Sequence, residues 1–406
     1  MKNIWIFNHY ALTPQFPGGT RHYELAMRFA QAGYSVAIFA SSVNYQHPTE
    51  SILPKGQKYL IETPHPSFKF IWVSTPTYSG NNWKRLLNML VYCYQCITIS
   101  KRLVVTKVLQ RPDVVIGSTI HPFTPLMAQY LAKKYNSRYF FEVRDLWPQT
   151  LIELGILKAD SVISKLLWKI EALSLKNVCG VVCFSPATIN YFIEHYGLQK
   201  SLLHYIPNGT NLEENPTGEE NFNEIFDSRY FNVLFTGSMV PSNRVDVICE
   251  AAKLIKPDKN IRIILVGGGT EKKRLREKYK DVERLIWMDP VPKTQVKSLL
   301  KKADALLLIQ GKVAYGSSNK LYDYLSVGKP ILSSVWVKHN DVVSRINAGL
   351  SVTPENPEEL ARAITQISEL SVEEREEMGR AAIKFVKEYH SWDVLASKFL
   401  EIIENT

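Results

Sequence analysis

The chain has 406 residues, of which 45% are hydrophobic and 22% charged. This composition is typical of a globular protein and excludes a disordered or collagen-like chain, while the length predicts more than one hydrophobic core. The net charge of +10 is uneven, since the first 210 residues hold 21 basic and 10 acidic side chains and the remainder is nearly neutral. The basic character therefore belongs to one surface and not to the whole molecule.

Short apolar runs of strand length alternate with helix-length segments along the whole chain, which predicts parallel sheets with helical crossovers. The predicted strands of the first half are Ile4–Phe7, Ser35–Ala40, Phe70–Val73, Val114–Gly117, Arg138–Val143 and Val181–Phe184. Those of the second half are Phe231–Thr236, Ile261–Val266, Leu285–Met288, Ala305–Ile309 and Pro330–Ser333. The predicted helices include Arg21–Ala32, Asp246–Ile255, Lys293–Ala303 and Asn319–Ser326. The pattern indicates an α/β protein with two doubly wound domains.

A segment rich in turn formers and acids separates the two halves and predicts the domain boundary. We expect an N-terminal domain over residues 1–208, a hinge or linker over 209–229, a C-terminal domain over 230–385, and a terminal helix over 386–406 that packs back on the first domain. If the two domains face each other, the carboxyl ends of both sheets open onto one interdomain cleft. We expect the residues that carry out the reaction to lie in that cleft.

Five scattered cysteines do not form a disulfide framework, and they indicate a reducing cytoplasm. They are Cys93, Cys96, Cys179, Cys183 and Cys249, and their spacing favours buried thiols over a zinc site. The first apolar run is too short for a signal peptide, and the 15 charge-free residues from Leu86 to Ser100 are too few to cross a bilayer. The sequence shows no cluster of carboxylates of the kind that would indicate a required metal ion.

Two glycine-rich turns precede helices and are candidate anion sites. Gly18 and Gly19 lie between the first strand and its helix, where exposed amides favour a phosphate, although such a turn is often only a turn. Gly267 opens a three-glycine turn after a strand of the second half. Because no G-x-G-x-x-G pattern is present, a sugar nucleotide is favoured over NAD as the ligand.

The most informative local pattern is the block over residues 316–330, which opens a helix with small residues. It supplies amides and hydroxyls from Ser317, Ser318 and Asn319, a cation from Lys320, and a carboxylate from Asp323 one turn later. A diphosphate is bound by amides and a cation, and a ribose by a carboxylate. The alternative is a capped helix with a solvated Lys–Asp face.

These motifs resemble the retaining glycosyltransferases of family 4, which have the GT-B fold of two facing Rossmann-like domains. The resemblance covers essentially the whole chain and rests on residues 18–26, 206–210, 235–238, 265–269 and 316–330. Within the family, Phe-Glu-Val-Arg-Asp-Leu-Trp-Pro at 141–148 resembles the transferases of O-antigen and capsule clusters, including fucosamine transferases. The resemblance implies a nucleotide-sugar donor on the C-terminal domain, a lipid-linked acceptor on the N-terminal domain, and no required cofactor.

The chain departs from the family pattern at the donor site. Tyr315 occupies the place of the first acid of the usual pair, and Ser238 and Asn243 occupy the places of two cations. We therefore expect several groups to bind the diphosphate jointly: Lys320, the amides of 317–319, Arg244, Gly18 and Gly19.

Four polar residues follow strands of the first half and are candidate catalytic or acceptor residues. His121 matches the family's histidine beside the donor sugar and would orient that sugar, although a lone loop histidine is often structural. Glu142 and Asp145 are predicted to recognise the acceptor or handle a proton, and Arg144 to bind acceptor or phosphate. A structural salt-bridged cluster is the alternative for these last three.

The stretch from Thr63 to Pro112 contains no acid and seven basic residues. Within it an apolar stripe at helical spacing is flanked by cations, which is typical of a peripheral membrane helix. A core helix with solvated ends is the alternative. The predicted membrane-facing residues are Trp83, Lys84, Arg85, Lys101 and Arg102.

Together these features predict an enzyme at the cytoplasmic face of the membrane that transfers a sugar, such as a hexose or N-acetylhexosamine, from a nucleotide diphosphate to a lipid-linked saccharide. The nucleotide is predicted to be UDP. Nucleic-acid binding is disfavoured, because no known binding signature accompanies the basic residues. Two alternatives stay open, a sugar-nucleotide epimerase on the same fold and a catalytically silent sugar-nucleotide-binding protein.

Overall fold

Two parallel sheets, each with helices on both faces, organise the computed structural model of the chain. The structure describes residues 2–16, 18–45, 47–80, 82–212, 222, 225–311, 320–336 and 341–406. The chain divides into two compact units, one formed by Met1–Pro207 with Trp392–Thr406 and the other by Asn208–Ser391.

The first unit contains an eight-stranded sheet with the order β3-β4-β2-β1-β5-β6-β7-β8. Its strands are β1 (Asn3–Phe7), β2 (Ser35–Ser41), β3 (Tyr59–His65), β4 (Phe68–Val73), β5 (Val114–Ser118), β6 (Arg138–Glu142), β7 (Gly180–Cys183) and β8 (Leu203–Tyr205). Its helices are α1 (Arg21–Gln31), α2 (Trp83–Val105), α3 (Phe123–Tyr135), α4 (Gln149–Glu153), α5 (Val162–Ser174), α6 (Pro186–Tyr196) and the C-terminal α14 (Trp392–Asn405). All neighbouring strands are parallel except β3 and β4, which form an antiparallel edge.

Helices α1 and α14 cover one face of this sheet. Alternate strand residues such as Ile4 and Ile38 pack against Phe29 of α1 and Phe399 of α14 in one hydrophobic core. On the opposite face α2 and α3 pack against the strands, and α5 packs beside α3 on the side away from α2. Because α2, α3 and α5 follow the carboxyl ends of β4, β5 and β6, their N-terminal ends lie toward the carboxyl edge of the sheet.

The second unit contains a six-stranded parallel sheet with the order β11-β10-β9-β12-β13-β14. Its strands are β9 (Phe231–Thr236), β10 (Ile261–Val266), β11 (Leu285–Met288), β12 (Ala305–Ile309), β13 (Ile331–Ser334) and β14 (Gly349–Ser351). Its helices are α7 (Val245–Leu254), α8 (Lys272–Lys278), α9 (Lys293–Lys302), α10 (Lys320–Ser326), α11 (Val342–Arg345), α12 (Pro357–Glu369) and α13 (Val372–Tyr389). Two hydrophobic cores, one on each face, hold this sheet between its helices.

The structure confirms the predicted α/β class and places a strand at every predicted position. It adds β3, β8 and β14, which the apolar pattern did not indicate because two are three residues long and β3 is a half-buried edge strand. The second unit runs from Asn208 to Ser391, whereas the sequence analysis placed the boundaries of that domain at 230 and 385. The difference arises because Thr210 pairs with Ser391, so both connecting segments belong to the second unit.

Candidate functional site

The carboxyl ends of β1, β5 and β6 bring polar side chains together in the first unit. Asn8 follows β1, Ser118 ends β5 and Glu142 ends β6, and all three side chains are buried. Parallel strands end at a common edge, so residues far apart in the sequence meet there.

Glu142 is the centre of this cluster. Its Oε1 accepts a hydrogen bond from Arg21 Nε at 2.9 Å, its Oε2 lies 2.6 Å from His22 Nε2, and the Ser118 hydroxyl also donates to Oε2. Burial alone would raise the pKa of Glu142, but His22 and Arg21 hold that pKa well below its usual range. The structure therefore gives Glu142 an ion-pairing role in place of the proton handling expected from the sequence, because its carboxylate is already occupied.

Arg21 connects this cluster to the last residues of the first unit. Its guanidinium donates to the carbonyl oxygen of Ile206 at 2.9 Å and to that of Pro207, besides its bond to Glu142. The side chain is buried, so these contacts are made away from water. Arg21 thus fixes the position at which the chain leaves the first unit.

His121 is fully buried and both of its ring nitrogens have protein partners. Nδ1 accepts from the backbone N–H of Phe123 at 3.3 Å, so Nε2 carries the proton and donates to His9 Nδ1 at 2.9 Å, with Thr124 Oγ1 at 3.0 Å. Burial and the charge of Arg85 lower the pKa of His121 to about 3, which keeps the ring neutral. The contact of His121 with a donor sugar stays a prediction.

Arg144 and Asp145 lie beside the His121 loop because Thr119 joins the two segments. Thr119 Oγ1 accepts from the backbone N–H of Arg144 at 2.8 Å and donates to the carbonyl of Asp145 at 2.8 Å. Burial raises the pKa of Asp145 to about 6 and lowers that of Arg144 to about 10. A carboxyl that titrates near neutral pH suits proton handling, and the acceptor-side roles of both residues stay predictions.

Gly18 and Gly19 precede α1, as the sequence predicted. Gly18 has φ of 135°, a backbone conformation that favours glycine, and a Cβ at Gly19 would meet nothing within 4 Å. Open space beside the amino end of α1 is compatible with an anion. Phosphate binding at this turn stays a prediction.

In the second unit, the carboxyl ends of β9 and β10 hold Lys320 against a glycine-lined surface. The Lys320 ammonium lies 4.6 Å from the centre of the Phe235 ring, and a Cβ at Gly237 would collide with it. Gly237 has φ of 146°, and a side chain at Gly267 would strike the Gly237 carbonyl. Burial lowers the pKa of Lys320 to about 8, and no described carboxylate pairs with it. This half-buried cation between closely approaching backbones is suited to an anionic ligand.

Arg244 differs from its expected role. Its guanidinium pairs with Asp246 at 3.0 Å and with Glu355 at 2.5 Å, and these contacts raise its pKa. Two carboxylates already neutralise its charge, so the structure does not make Arg244 available to a diphosphate.

Asp323 lies on α10, one turn after Lys320, with an exposed side chain. Its Oδ1 accepts a hydrogen bond from Thr210 Oγ1 at 2.9 Å. Asp323 therefore joins α10 to the segment that opens the second unit, and its predicted contact with a ribose stays a prediction. Ser317, Ser318 and Asn319, together with Tyr315, lie outside the described residues.

Helix α2 exposes the apolar stripe that the sequence predicted. Trp83 is 68% exposed, and Leu86, Leu87, Leu90 and Tyr94 are also exposed, whereas Tyr92, Cys96, Ile99 and Leu103 form the buried face. The stripe therefore lies outside the core of the first unit although the opposite side of α2 is buried, and its contact with a membrane stays a prediction.

The predicted cations of α2 divide between its faces. Lys84 and Arg102 are exposed, and Lys101 lies half-buried over the Tyr130 ring. Arg85 is half-buried, because successive helical residues are about 100° apart and the step from Lys84 turns Arg85 toward the buried side of α2. There its charge helps to lower the pKa of His9 and of His121, so Arg85 also belongs to the His121 surroundings, and its contact with a membrane stays a prediction.

Sequence reasoning missed the partners of the residues it selected. Arg21 and His22 fall inside a motif it used, yet only their distant contact with Glu142 gives them a role. His9 and Phe235 are likewise partners of His121 and Lys320. The position of Arg21 at the start of a predicted helix was the available signal in the sequence, and its burial is known only from the structure.

Within the described ranges, no group of three or more His, Cys, Asp or Glu side chains is placed to hold a metal ion. No helix in this part of the chain is long and apolar enough to span a bilayer.

Comparison with protein families finds two matches that follow the two units. Residues 18–214 match the model described as Glycosyltransferase Family 4, and residues 230–369 match Glycosyl transferases group 1. The probable glycosyltransferase WbjE of Pseudomonas aeruginosa is 23% identical over 303 residues, which cover 72% of this chain and 75% of that protein.

Solved structures resemble the whole chain. Sucrose-phosphate synthase from Thermosynechococcus elongatus has a TM-score of 0.76 at 14% identity, covering 100% of this chain and 99% of that one. WaaG, a glycosyltransferase involved in lipopolysaccharide biosynthesis, has a TM-score of 0.68 at 16% identity, covering 99% and 100%. Anabaena HepE in complex with UDP-glucose has a TM-score of 0.68 at 12% identity, covering 100% of both chains.

Proposed function

Because this chain is a glycosyltransferase of the family 4 type with the GT-B fold, we propose that it transfers a sugar from a UDP-linked donor to a lipid-linked saccharide with retention of anomeric configuration. The reaction serves the assembly of a surface polysaccharide such as O-antigen or capsule. The sugar is a hexose or an N-acetylhexosamine, in keeping with the resemblance of residues 141–148 to fucosamine transferases. The enzyme acts at the inner face of the membrane.

The observation that carries the proposal is the position of the Lys320 ammonium over Phe235 and beside Gly237. A diphosphate is a dianion that gains from a fixed cation and from backbones that can approach closely. HepE, a structural relative, has been solved with UDP-glucose, which supports the choice of nucleotide. Asp323 on the same helix is positioned to accept from a ribose in exchange for Thr210.

The chemistry needs no separate base close to the acceptor. The bond from the anomeric carbon to the diphosphate oxygen breaks, the acceptor oxygen bonds to the same face of the sugar, and the acceptor proton passes to the departing diphosphate. Lys320 stabilises the charge that grows on that diphosphate. Asp145, whose pKa is raised to about 6 by burial, is suited to hold an acceptor hydroxyl.

The proposal of a lipid-linked acceptor is supported by α2, which has an exposed apolar stripe and no acidic residue. Such a helix can lie in the interface of an anionic bilayer and bring the first unit to an acceptor anchored there. The lipid anchor of the acceptor is proposed on this basis.

We expect Lys320→Met to lower the rate of UDP-sugar turnover by at least about a hundredfold, because it removes the cation and keeps the apolar length of the side chain. The rate is measured as UDP release from a panel of UDP-sugars with a polyprenyl-diphosphate saccharide as acceptor. Lys253→Met, which changes an exposed lysine of α7, is the matched control and should keep the wild-type rate.

Turnover of the Lys320→Met variant at the wild-type rate, with an unchanged melting temperature, would remove Lys320 from the donor site. Turnover that releases no UDP and rearranges the sugar in the absence of acceptor would support the epimerase instead.

A further inference from the structure

Helix α5 of the first unit has an inverted distribution of polar and apolar residues. Its buried residues are Ser164, Glu171 and Ser174, all polar. Its exposed residues include Val162 at 82% exposure, Ile163 at 58%, and Leu166. A helix on a water-exposed surface normally has the opposite arrangement, so the outer face of α5 is suited to an apolar environment.

The buried polar groups are fully accommodated, so this arrangement is a stable one. Glu171 Oε2 accepts hydrogen bonds from Tyr191 at 2.8 Å and from Tyr196 at 2.6 Å. Ser164 Oγ donates to the carbonyl of Lys158 at 2.7 Å, and Ser174 Oγ donates to that of Ile170 at 2.9 Å. The two bonds of Glu171 to α6 fix which side of α5 faces inward, and Val162, Ile163 and Leu166 remain exposed.

The segment before the helix also exposes apolar residues. Leu154 and Ile156, which follow α4, are exposed as well. We call Leu154, Ile156, Val162, Ile163 and Leu166 the α5 patch. Three exposed lysines flank it, Lys158, Lys165 and Lys169, whereas Asp160 is the one acid between residues 155 and 169. An apolar surface with a cationic border is typical of proteins that lie on anionic lipid.

The α5 patch lies on the same layer as the exposed stripe of α2. Both helices pack beside α3, and both begin at the carboxyl edge of the sheet, where the Glu142 cluster and the His121 loop are found. Most of the exposed apolar residues lie in the N-terminal half of each helix, although Val105 and Leu173 are exposed near the C-terminal ends. The α2 stripe and the α5 patch can therefore contact the same membrane surface, near the edge of the sheet where the acceptor is proposed to bind.

We propose that the α5 patch is a second membrane-contact element, which inserts into the interface of an anionic bilayer together with α2. This inference rests on the proposed function for its membrane setting and adds a surface that the sequence pattern did not indicate. A second copy of the chain is a poorer occupant, because a symmetric contact would place Lys165 and Lys169 opposite the same cations of the partner.

The test uses the full chain and sedimentation with vesicles of phosphatidylglycerol and phosphatidylcholine in equal parts. Val162→Glu combined with Ile163→Glu should lower the partition coefficient at least about thirtyfold, because two apolar contacts are lost and two anions face the lipid. Glutamate is favourable in the first turn of a helix, so α5 should stay folded.

Val372→Glu is the matched control. Val372 is also the first residue of its helix, also follows a capping serine, and is 57% exposed, but it lies in the second unit. This variant should bind vesicles as the wild type does.

The inference is overturned if the Val162→Glu, Ile163→Glu variant partitions like the wild type, or if Val372→Glu weakens binding as much. It is also overturned if wild-type binding is equal on pure phosphatidylcholine, or if the variant only converts a solution dimer to a monomer. UDP binding to the same proteins, measured by calorimetry, tests the donor site separately. Absent UDP binding would contradict the proposed function and leave the vesicle result intact.

Discussion

At the scale of single residues, the partners of a buried carboxyl decide whether it is charged. Glu142 lies against Arg21 and His22, which hold its pKa well below the usual range although burial opposes this. Glu171 is equally buried but receives hydrogen bonds only from neutral groups, and burial raises its pKa to about 7. Glu142 therefore acts as an ion-pair partner, whereas Glu171 carries its proton at neutral pH in part of the molecules.

Glu171 makes the stability of the first unit depend on pH. Its pKa is about 7 in the folded chain and near 4.5 when unfolded, so the folded state binds more protons between these values. Its contribution to stability is fully present below about pH 4.5 and is lost as the pH rises through 7. The loss is on the order of 3 kcal/mol. We expect Glu171→Gln, which mimics the protonated carboxyl, to unfold at higher urea than the wild type at about pH 8.5.

At about pH 5 the two proteins should unfold at nearly the same urea concentration. Urea denaturation at both pH values checks this, with circular dichroism as the signal. A constant difference between the proteins at both pH values would show that titration of Glu171 is not the cause.

At the scale of elements, α2 and α5 each separate an inward face from an exposed apolar one. In α2 the inward face carries Tyr92, whose hydroxyl donates to the Phe39 carbonyl at 2.7 Å. The outward face carries Trp83 and Leu90 without any acid along the helix. The two helices have in common that hydrogen bonds and not apolar contacts alone fix the inward side, through Phe39 of β2 for α2 and through α6 for α5.

We expect binding of the wild type to vesicles that contain phosphatidylglycerol to weaken as salt is added, because screening reduces the attraction of the exposed cations. Lys84→Glu should lower the partition coefficient roughly thirtyfold, since it removes one attraction of about 1 kcal/mol and adds a repulsion of similar size. The measurement is vesicle sedimentation at low and high salt. Lys273→Glu, an exposed site of the second unit, is the control. Binding that is indifferent to salt and to Lys84 would contradict a role for the basic α2 surface.

At the scale of the whole molecule, the first unit is completed by the C-terminal end of the chain. Helix α14 packs on α1, where Phe399 meets Phe29 edge to face with ring centres 5.7 Å apart. Trp392 and Ile403 of the same helix are buried in this core. The chain therefore passes from the first unit to the second and back, and folding of the first unit needs residues from both termini.

We expect Phe399→Ala to destabilise the first unit by about 3–5 kcal/mol, because the substitution leaves a cavity between α1 and α14. Calorimetry should show a lower transition for that unit. Tyr389→Ala, at an exposed aromatic residue of α13, should leave the profile near that of the wild type. A normal profile for Phe399→Ala would mean that α14 is not part of the cooperative unit.

The sequence by itself determined the α/β class, most strand positions and the apolar stripe of α2, whereas the exposure of that stripe was decided by the tertiary structure. The spacing of apolar residues along the sequence reflects local burial. The same reasoning identified Lys320 from the small residues and the helix start around it.

Only the tertiary structure decided which groups meet. Glu142 and Arg21 are 121 positions apart, and the pairing of Arg244 with Glu355 spans a similar distance along the chain. No spacing rule reports contacts that arise when parallel strands end at one edge. For the same reason the sequence pattern did not single out α5, and its inverted faces became visible only once Tyr191 and Tyr196 were placed around Glu171.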